Sequence, residues 1–239
     1  MDNPGYVGLT RMRGLADELR VVANNLANMA TTGFQAEKVV FAEVMMDLET
    51  DGGTLAMSEP RAHYTDRSAG GYQQTFGELD LAIEGDGYFQ IQTPQGPRLT
   101  RAGNFVRDAE GNVMTTDGNR LLDPGGAPIA IPPEASDIAI GRDGIIAADG
   151  APVAQVGLFT AAPTAMVRES GVRFRTNGEI AIAAEASVLQ GFVENSNVNP
   201  VEELSRMIEV QRGYELGQTF LDREDERIRD AIRTLGRSA

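Results

Sequence analysis

The chain has 239 residues and a formal net charge of −14 at neutral pH, with 41% hydrophobic residues, one histidine and no cysteine. Binding of nucleic acid or of anionic membranes needs a basic surface, so this charge argues against both, and the lack of cysteine excludes disulfides and thiolate metal sites. A histidine metal cluster or a Ser-His-Asp triad would depend on His63 alone.

The chain lacks the patterns of a membrane span and of a cleaved leader. Nowhere does the sequence approach the 18 consecutive apolar residues of a transmembrane helix. Its first residues, Met1 to Gly5, have neither a basic segment nor an apolar one behind it, as a secretory signal peptide would. We therefore expect no membrane insertion and no cleaved signal.

The first segment of the chain reads as an amphipathic helix. From Met12 onward, apolar residues recur at spacings of three and four, which places them in one narrow seam on a helix surface. The pattern stops at Gly33, a residue that readily ends a helix in the left-handed conformation. We assign residues 1–35 to an N-terminal helical segment. Its seam consists of Met12, Leu15, Leu19, Val22, Leu26 and Met29.

The middle of the chain has the pattern of β-structure. Turn dipeptides such as Asp149-Gly150 and Asn177-Gly178 recur between short alternating runs, which predicts an antiparallel, hairpin-rich domain over residues 76–193. Residues 36–75 include a polar, weakly patterned stretch, and we interpret them as a linker with some extended structure.

The last segment, residues 194–239, again reads as a helix. Pro200 suits a first helical position, and Glu202 and Glu203 suit a first turn because the helix dipole favours anions there. The predicted fold class is therefore mixed: an all-β middle domain flanked by N- and C-terminal α-helices that pair as a coiled-coil-like bundle. The C-terminal seam comprises Met207, Val210, Tyr214, Gly217, Leu221, Glu224, Ile228, Ala231 and Leu235.

Each terminal helix presents an apolar stripe that must pack against another surface to be buried. Ordering a residue costs about 1–2 kcal/mol of backbone entropy, and fully burying one Leu or Val returns roughly 1.5–3 kcal/mol. A lone helix with one seam is therefore marginal in water. Two arrangements stay open: an intramolecular helical hairpin that caps the β domain, or helices completed by other copies, which give a closed ring or an open filament.

Four stretches of the sequence resemble motifs of the flagellar rod and hook protein family. Residues 23–34 read ANNLANMATTGF, residues 79–89 LDLAIEGDGYF, residues 99–105 LTRAGNF and residues 191–202 GFVENSNVNPVE. The stretches occur in order and extend over nearly the whole chain. Their number and length make the resemblance a specific one.

The resemblance implies a structural subunit of the flagellar basal-body rod, the periplasm-spanning shaft that transmits torque to the hook. It implies terminal helices packed in an inner tube, a β domain projecting outward, and export through the flagellar type III apparatus without a cleaved signal. The implied partners are copies of this chain, neighbouring rod proteins and the export apparatus. The length and the opening of the chain favour a proximal-rod member over a distal-rod member, which is the alternative within the family.

The candidate functional residues are those of the two seams and the asparagines beside them. The amides of Asn24, Asn25 and Asn28 are interpreted as fixing the register between subunits, with a solvated helix face as the alternative. Asn197 and Asn199 are expected in the turn before the C-terminal helix. The assembly candidates are Leu15, Leu19, Val22, Asn24, Asn25, Leu26, Asn28, Met29, Asn197, Asn199, Met207, Val210, Tyr214, Leu221 and Ile228.

A catalytic function receives little support from the sequence. Glu84 and Asp86 are paired carboxylates, but they lie in a predicted turn, without the aromatic-rich stretch expected of a sugar-binding cleft. The Asp-Gly pairs do not have the spacing of an EF-hand loop. We expect no enzyme activity, no cofactor, no metal and no small-molecule substrate. A secreted carbohydrate-active β protein is the alternative from a different functional class.

Overall fold

The computed structural model describes the backbone of residues 3–47 and 54–237. The described chain forms two compact units. The first, called the helical unit, takes its residues from Met1–Ala27, Ala36–Arg67 and Val198–Ala239. The second, called the β unit, comprises Asn28–Gln35 and Ser68–Asn197.

The helical unit contains two long helices and one hairpin. Helix α1 spans Asn3–Ala27 and helix α2 spans Pro200–Arg237. Strands β1 (Glu37–Asp47) and β2 (Thr54–Thr65) pair antiparallel, with a shift of register after Val40. This hairpin occupies much of the stretch that the sequence predicted as a linker, of which residues 48–53 lie outside the described part.

Helices α1 and α2 pack against each other in antiparallel directions. A methyl group placed on Gly8 would lie 3.0 Å from Leu221 Cδ2, and one on Gly217 would lie 3.0 Å from Met12 Cγ. Leu15 contacts the opposite helix at Gly213. Small residues let the two backbones approach closely. The predicted helix at each end, the mostly β middle and the contact between the helices are confirmed, while the coiled-coil pairing stays a prediction.

Helix α2 starts where local chemistry satisfies its first backbone donors. The side-chain oxygen of Asn199 accepts a hydrogen bond from the Val201 N–H at 3.1 Å, as an N-cap residue does. Pro200 follows at the first helical position, where its missing N–H has no cost. Glu202 and Glu203 lie in the first turn.

The β unit is built from antiparallel strands in one large sheet and several small ones. The strands are β3 (Tyr72–Gln74), β4 (Leu81–Glu84), β5 (Tyr88–Thr93), β6 (Gly96–Thr100), β7 (Phe105–Arg107), β8 (Val113–Thr115), β9 (Arg120–Leu121), β10 (Ile138–Ile140), β11 (Ile145–Ala148), β12 (Ala151–Gln155), β13 (Leu158–Ala161), β14 (Met166–Ser170), β15 (Arg173–Thr176), β16 (Ile180–Ile182), β17 (Ser187–Gln190) and β18 (Phe192–Glu194). The large sheet has nine strands, seven of them in the order β14-β15-β6-β5-β9-β8-β7, with β13 pairing to both β5 and β16. Smaller sheets are formed by β10-β11-β12, by β17-β4 and by β18-β3. A 3₁₀ turn, Pro163–Ala165, precedes β14.

The core of the β unit is mostly aliphatic. Leu81, Ile83 and Ile91 are fully buried in its larger cluster, and Phe89 meets Phe105 edge-on with ring centroids 5.2 Å apart. A smaller cluster gathers around a second edge-on aromatic pair, Tyr88 and Phe174. The predicted Asp-Gly turn between β11 and β12 has positive φ at both Asp149 and Gly150, as a type I′ hairpin requires.

The segment between α1 and the hairpin belongs to the β unit. Helix α1 ends at Ala27, and Gly33 then adopts a left-handed φ of 67°. The N–H of Gly33 donates to the Glu194 carbonyl at 2.7 Å. Phe34 is fully buried, with the Arg168 guanidinium 4.8 Å from its ring centre. The helical segment assigned to residues 1–35 therefore divides between two units.

Candidate functional site

The apolar seam predicted from spacing lies largely along the contact between α1 and α2. Val22 and Val210 are buried. Two predicted seam residues are instead exposed: Met29, beyond the end of α1, at 46%, and Ile228, on α2, at 43%. The half-buried members are Leu15, Leu19, Leu26, Met207, Tyr214 and Leu221.

Asn25 is the most buried of the candidate asparagines and joins three elements of the helical unit. Its amide nitrogen donates to the Glu37 carbonyl at 2.8 Å and to Glu203 Oε1 at 3.0 Å. Its amide oxygen accepts the Glu37 N–H at 2.9 Å. This side chain therefore links α1, β1 and α2 within one chain, and its role in the register between subunits stays a prediction.

The other candidate asparagines lie around turns. Asn24 is half-buried on α1, and Asn28 accepts a hydrogen bond from the Thr31 hydroxyl at 3.2 Å. The amide of Asn197 donates to the Ser68 carbonyl at 2.9 Å, and Asn199 caps α2. Asn28 and Asn197 thus hold segments of the β unit, and Asn199 holds the start of a helix.

The four family-like motifs meet at one buried ion pair in the β unit. Arg101 Nε donates to Glu194 Oε2 at 2.7 Å, and both side chains are almost completely buried. The same guanidinium donates to the carbonyls of Gly85 at 2.9 Å and Gly87 at 2.7 Å. Gly33 reaches the Glu194 backbone from the first motif. The four motifs therefore have a common structural role, since their residues join four parts of the β unit that are distant in the sequence.

Helix α2 extends beyond its partner helix. The contacts at Gly8, Gly213 and Gly217 set a register in which Asn3, the first residue of α1, lies opposite about residue 226. At 1.5 Å per residue, α2 continues roughly 16 Å further to Arg237. Ile228 and Ile232 lie in this extension, which we call the overhang, and are 43% and 64% exposed.

A second set of apolar side chains on α2 lies outside the predicted seam and is exposed. The first turns carry Val201, Leu204 and Ile208, and Val201 is 74% exposed. Leu216 and Phe220 lie further along and are also exposed. These residues were not among the candidates predicted from the sequence, although the spacing of Val201, Leu204 and Ile208 is itself a helical three-four pattern.

A groove of about 390 Å³ opens where α1, α2 and the hairpin meet. Val21 and Val22 form buried parts of its lining, and Glu18 pairs there with Arg206. Burial raises the pKa of Glu203 above its ordinary value, because desolvation disfavours the charged carboxylate more than the hydrogen bond from Asn25 favours it. The remaining lining residues are Asn25, Glu37, Lys38, Val39, Tyr64 and Glu202.

Among the described residues, we find little that would form a metal-binding or catalytic site. No group of three or more His, Cys, Asp or Glu side chains is placed to hold a metal among residues 3–47 and 54–237. Glu84 pairs with Arg142 at the surface rather than facing a cleft. His63 lies within 3.1 Å of Glu37 on the exposed side of the hairpin. Among the helices described, none is long and apolar enough to cross a membrane.

Family models for flagellar proteins match three parts of the chain. The model described as "Flagella basal body rod protein" matches residues 6–35. The model "Flagellar hook protein FlgE/F/G D1 domain" matches residues 82–148, and "Flagellar basal body rod FlgEFG protein C-terminal" matches residues 189–234.

Individual relatives resemble the chain over nearly its whole length. It is 36% identical to the flagellar basal-body rod protein FlgF of Caulobacter vibrioides, over 99% of both chains. It is 36% identical to FlgF of Rhizobium meliloti, over 98% of both. The rod protein FlgG of Bacillus subtilis is 33% identical, over 95% of this chain and 97% of the relative.

Proposed function

Because the chain belongs to the flagellar basal-body rod protein family and is a structural subunit of that rod, we propose that its terminal helices form the assembly surface. Through them it packs against copies of itself and against neighbouring rod proteins, and the resulting shaft carries torque to the hook. The seam residues predicted from the sequence are its candidate contacts, and the two helices pair in the manner of a coiled coil. The family match supports this role over a carbohydrate-active protein.

The observation that carries the proposal is the amount of apolar surface that α2 leaves uncovered. Val201, Leu204, Ile208, Leu216 and Phe220 are all between 43% and 74% exposed. Burying one such side chain completely stabilises by roughly 1.5–3 kcal/mol. A helix with apolar side chains on several faces needs more than one packing partner, and α1 covers only one face.

The similarities also favour an FlgF-type position in the rod over an FlgG-type position. Identity to FlgF of Caulobacter vibrioides is 36% over 99% of the chain, against 33% over 95% for FlgG of Bacillus subtilis. We therefore place the subunit in the proximal rod. We also propose that the subunit is exported through the flagellar type III apparatus.

A paired substitution on α2 tests the proposal. Leu204→Asp with Ile208→Asp puts two charges on a face that is exposed in the single chain, so the isolated protein keeps its fold. In the assembled rod the same charges would be buried without partners, and we expect motility in soft agar and rod formation to be lost. Isolated basal bodies and swimming diameters measure both.

A matched control separates assembly from a general effect of charge. Ile182→Asp changes an apolar side chain that is 65% exposed on β16 in the β unit, and we expect it to leave motility intact. Normal rods and normal swimming in the α2 double variant would contradict the role of the helices in assembly.

A further inference from the structure

The overhang of α2 combines an apolar stripe with positive charge. Ile228 and Ile232 are one helical turn apart and exposed. Arg227, Arg229 and Arg233 flank them, with side chains that are 68% to 78% exposed. Each arginine pairs with an acidic residue of the same helix, and exposed pairs of this kind contribute little to stability. The arginines can therefore exchange these partners for others at little cost.

The groove of the helical unit complements the overhang in charge and in apolar surface. Half-buried Val39 and exposed Tyr64 give its lining an apolar surface, while Val21 and Val22 are almost completely buried. Four carboxylates line the groove, those of Glu18, Glu37, Glu202 and Glu203, together with two cations, Lys38 and Arg206, so the lining has a net negative charge. Desolvation raises the pKa of Glu203 even though Lys38 and Arg206 lie near it, so a further cation would favour its charged form. The groove thus fits a segment with an apolar stripe and basic flanks.

The two surfaces cannot meet within one chain. Glu203 and Ile228 lie on the same helix, 25 residues apart, which at 1.5 Å per residue is about 38 Å along its axis. Because a continuous helix cannot fold back on itself, the overhang needs the groove of another molecule. A contact between unlike surfaces at opposite ends of one helix pair is heterologous, and it repeats as an open filament when the rotation between successive copies does not close a ring.

We propose that the overhang of one copy docks in the groove of a second copy, so that successive copies join head to tail. Ile228 and Ile232 lie on the apolar lining, and Arg229 and Arg233 approach the carboxylates of Glu202 and Glu203. This contact rests on the proposed assembly function and deepens it by naming the two surfaces that one pair of copies uses.

Cross-linking tests this contact directly, because the chain has no cysteine of its own. A variant carrying Ile232→Cys and Tyr64→Cys has one thiol on the overhang and one at the groove, both at exposed positions. A short bismaleimide applied to isolated basal bodies should join these chains into dimers and longer species. The control pairs Ile232→Cys with Ile182→Cys, a β-unit position of similar exposure, and should give no such ladder.

Charge exchange gives a second measurement that does not depend on thiol geometry. Arg229→Glu or Glu202→Arg alone should reduce the fraction of chain incorporated into basal bodies about tenfold, and the two together should restore it. Circular dichroism of each purified variant verifies that the helices are intact. If the cysteine variant is not incorporated, the charge pair decides the outcome.

The results distinguish this contact from the wider function. Rods that contain the chain but show neither the cross-linked ladder nor the charge rescue would overturn the head-to-tail contact and leave the assembly function standing. Absence of the unmodified chain from isolated basal bodies would overturn the assembly function itself. Equal ladders from the test pair and the control pair would also overturn the contact, because they would indicate random collision.

Discussion

At the scale of single residues, Gly33 explains why the first motif ends as it does. Its φ of 67° lies in the left-handed region, and a methyl group built on it would lie 2.3 Å from both the Ala102 nitrogen and the Arg101 carbonyl carbon. Both atoms belong to the backbone and cannot rotate away. Only glycine lets the chain leave α1 and come this close to the segment that carries Arg101.

Gly33→Ala should therefore destabilise the β unit by about 3 kcal/mol, the sum of left-handed strain and a backbone displacement. Gly118→Ala is the matched control, because Gly118 also has a positive φ, 82°, but open space around it. We expect the control to cost about 1–2 kcal/mol. Urea unfolding followed by circular dichroism measures both, and equal losses would refute the close-approach argument.

At the scale of elements, Asn25 and Glu203 show how α1, α2 and the hairpin are connected. Asn25 bonds both backbone groups of Glu37 and also the Glu203 carboxylate. Periodicity placed Asn25 beside the apolar seam, but the spacing of seam residues does not identify the strand that lies within hydrogen-bond distance of Asn25. That partner depends on the fold of the hairpin, whose pairing joins residues up to 28 positions apart.

Glu203→Gln should stabilise the helical unit at neutral pH. Since the folded state raises the pKa of Glu203, its contribution to stability is fully present below the unfolded value of 4.5 and is lost as pH rises through the folded pKa. Glutamine keeps an oxygen for the Asn25 hydrogen bond and never ionises. The gain over the parent chain should therefore appear at neutral pH and vanish below about pH 4.

Thermal unfolding followed by the helical circular dichroism signal at several pH values measures this difference. Glu215→Gln, an exposed position on the same helix, is the control for the loss of one charge. A stability gain that persists unchanged in acid would show that ionisation of Glu203 is not its cause.

At the scale of the whole molecule, the exposure of α2 predicts a contrast between the free and the assembled protein. Arg227, Arg229 and Arg233 lie in the overhang with accessible side chains. We expect trypsin to cut there first in the isolated chain, because Ile228 and Ile232 are 43% and 64% exposed and α1 does not extend to this part of α2.

In assembled rods the same sites should be protected, while the β unit should resist digestion in both states. Mass spectrometry of the first fragments locates the cuts, and the buried core around Phe89 gives the resistant reference. Equal cleavage rates at the overhang before and after assembly would contradict the burial of α2 by neighbouring subunits.

The sequence by itself determined the kinds of element and the family of this protein. Helical seams at Met12 and Met207, turn pairs such as Asp149-Gly150 and the four motifs are local patterns, and local backbone preference is enough to produce them. The hairpin over Glu37–Thr65 was predicted only as extended structure in a linker, because the residues around Asp51-Gly52 are polar and weakly patterned, although this dipeptide is of the type that predicted turns elsewhere.

Only the tertiary structure decided the features on which the proposals depend. The register between α1 and α2 leaves Ile228 beyond the partner helix, although its spacing places it in the seam like Leu221. The groove at Glu203 and the ion pair of Arg101 with Glu194 bring together residues that are distant in the chain. Such pairings depend on the packing of whole elements, and periodicity describes one element at a time.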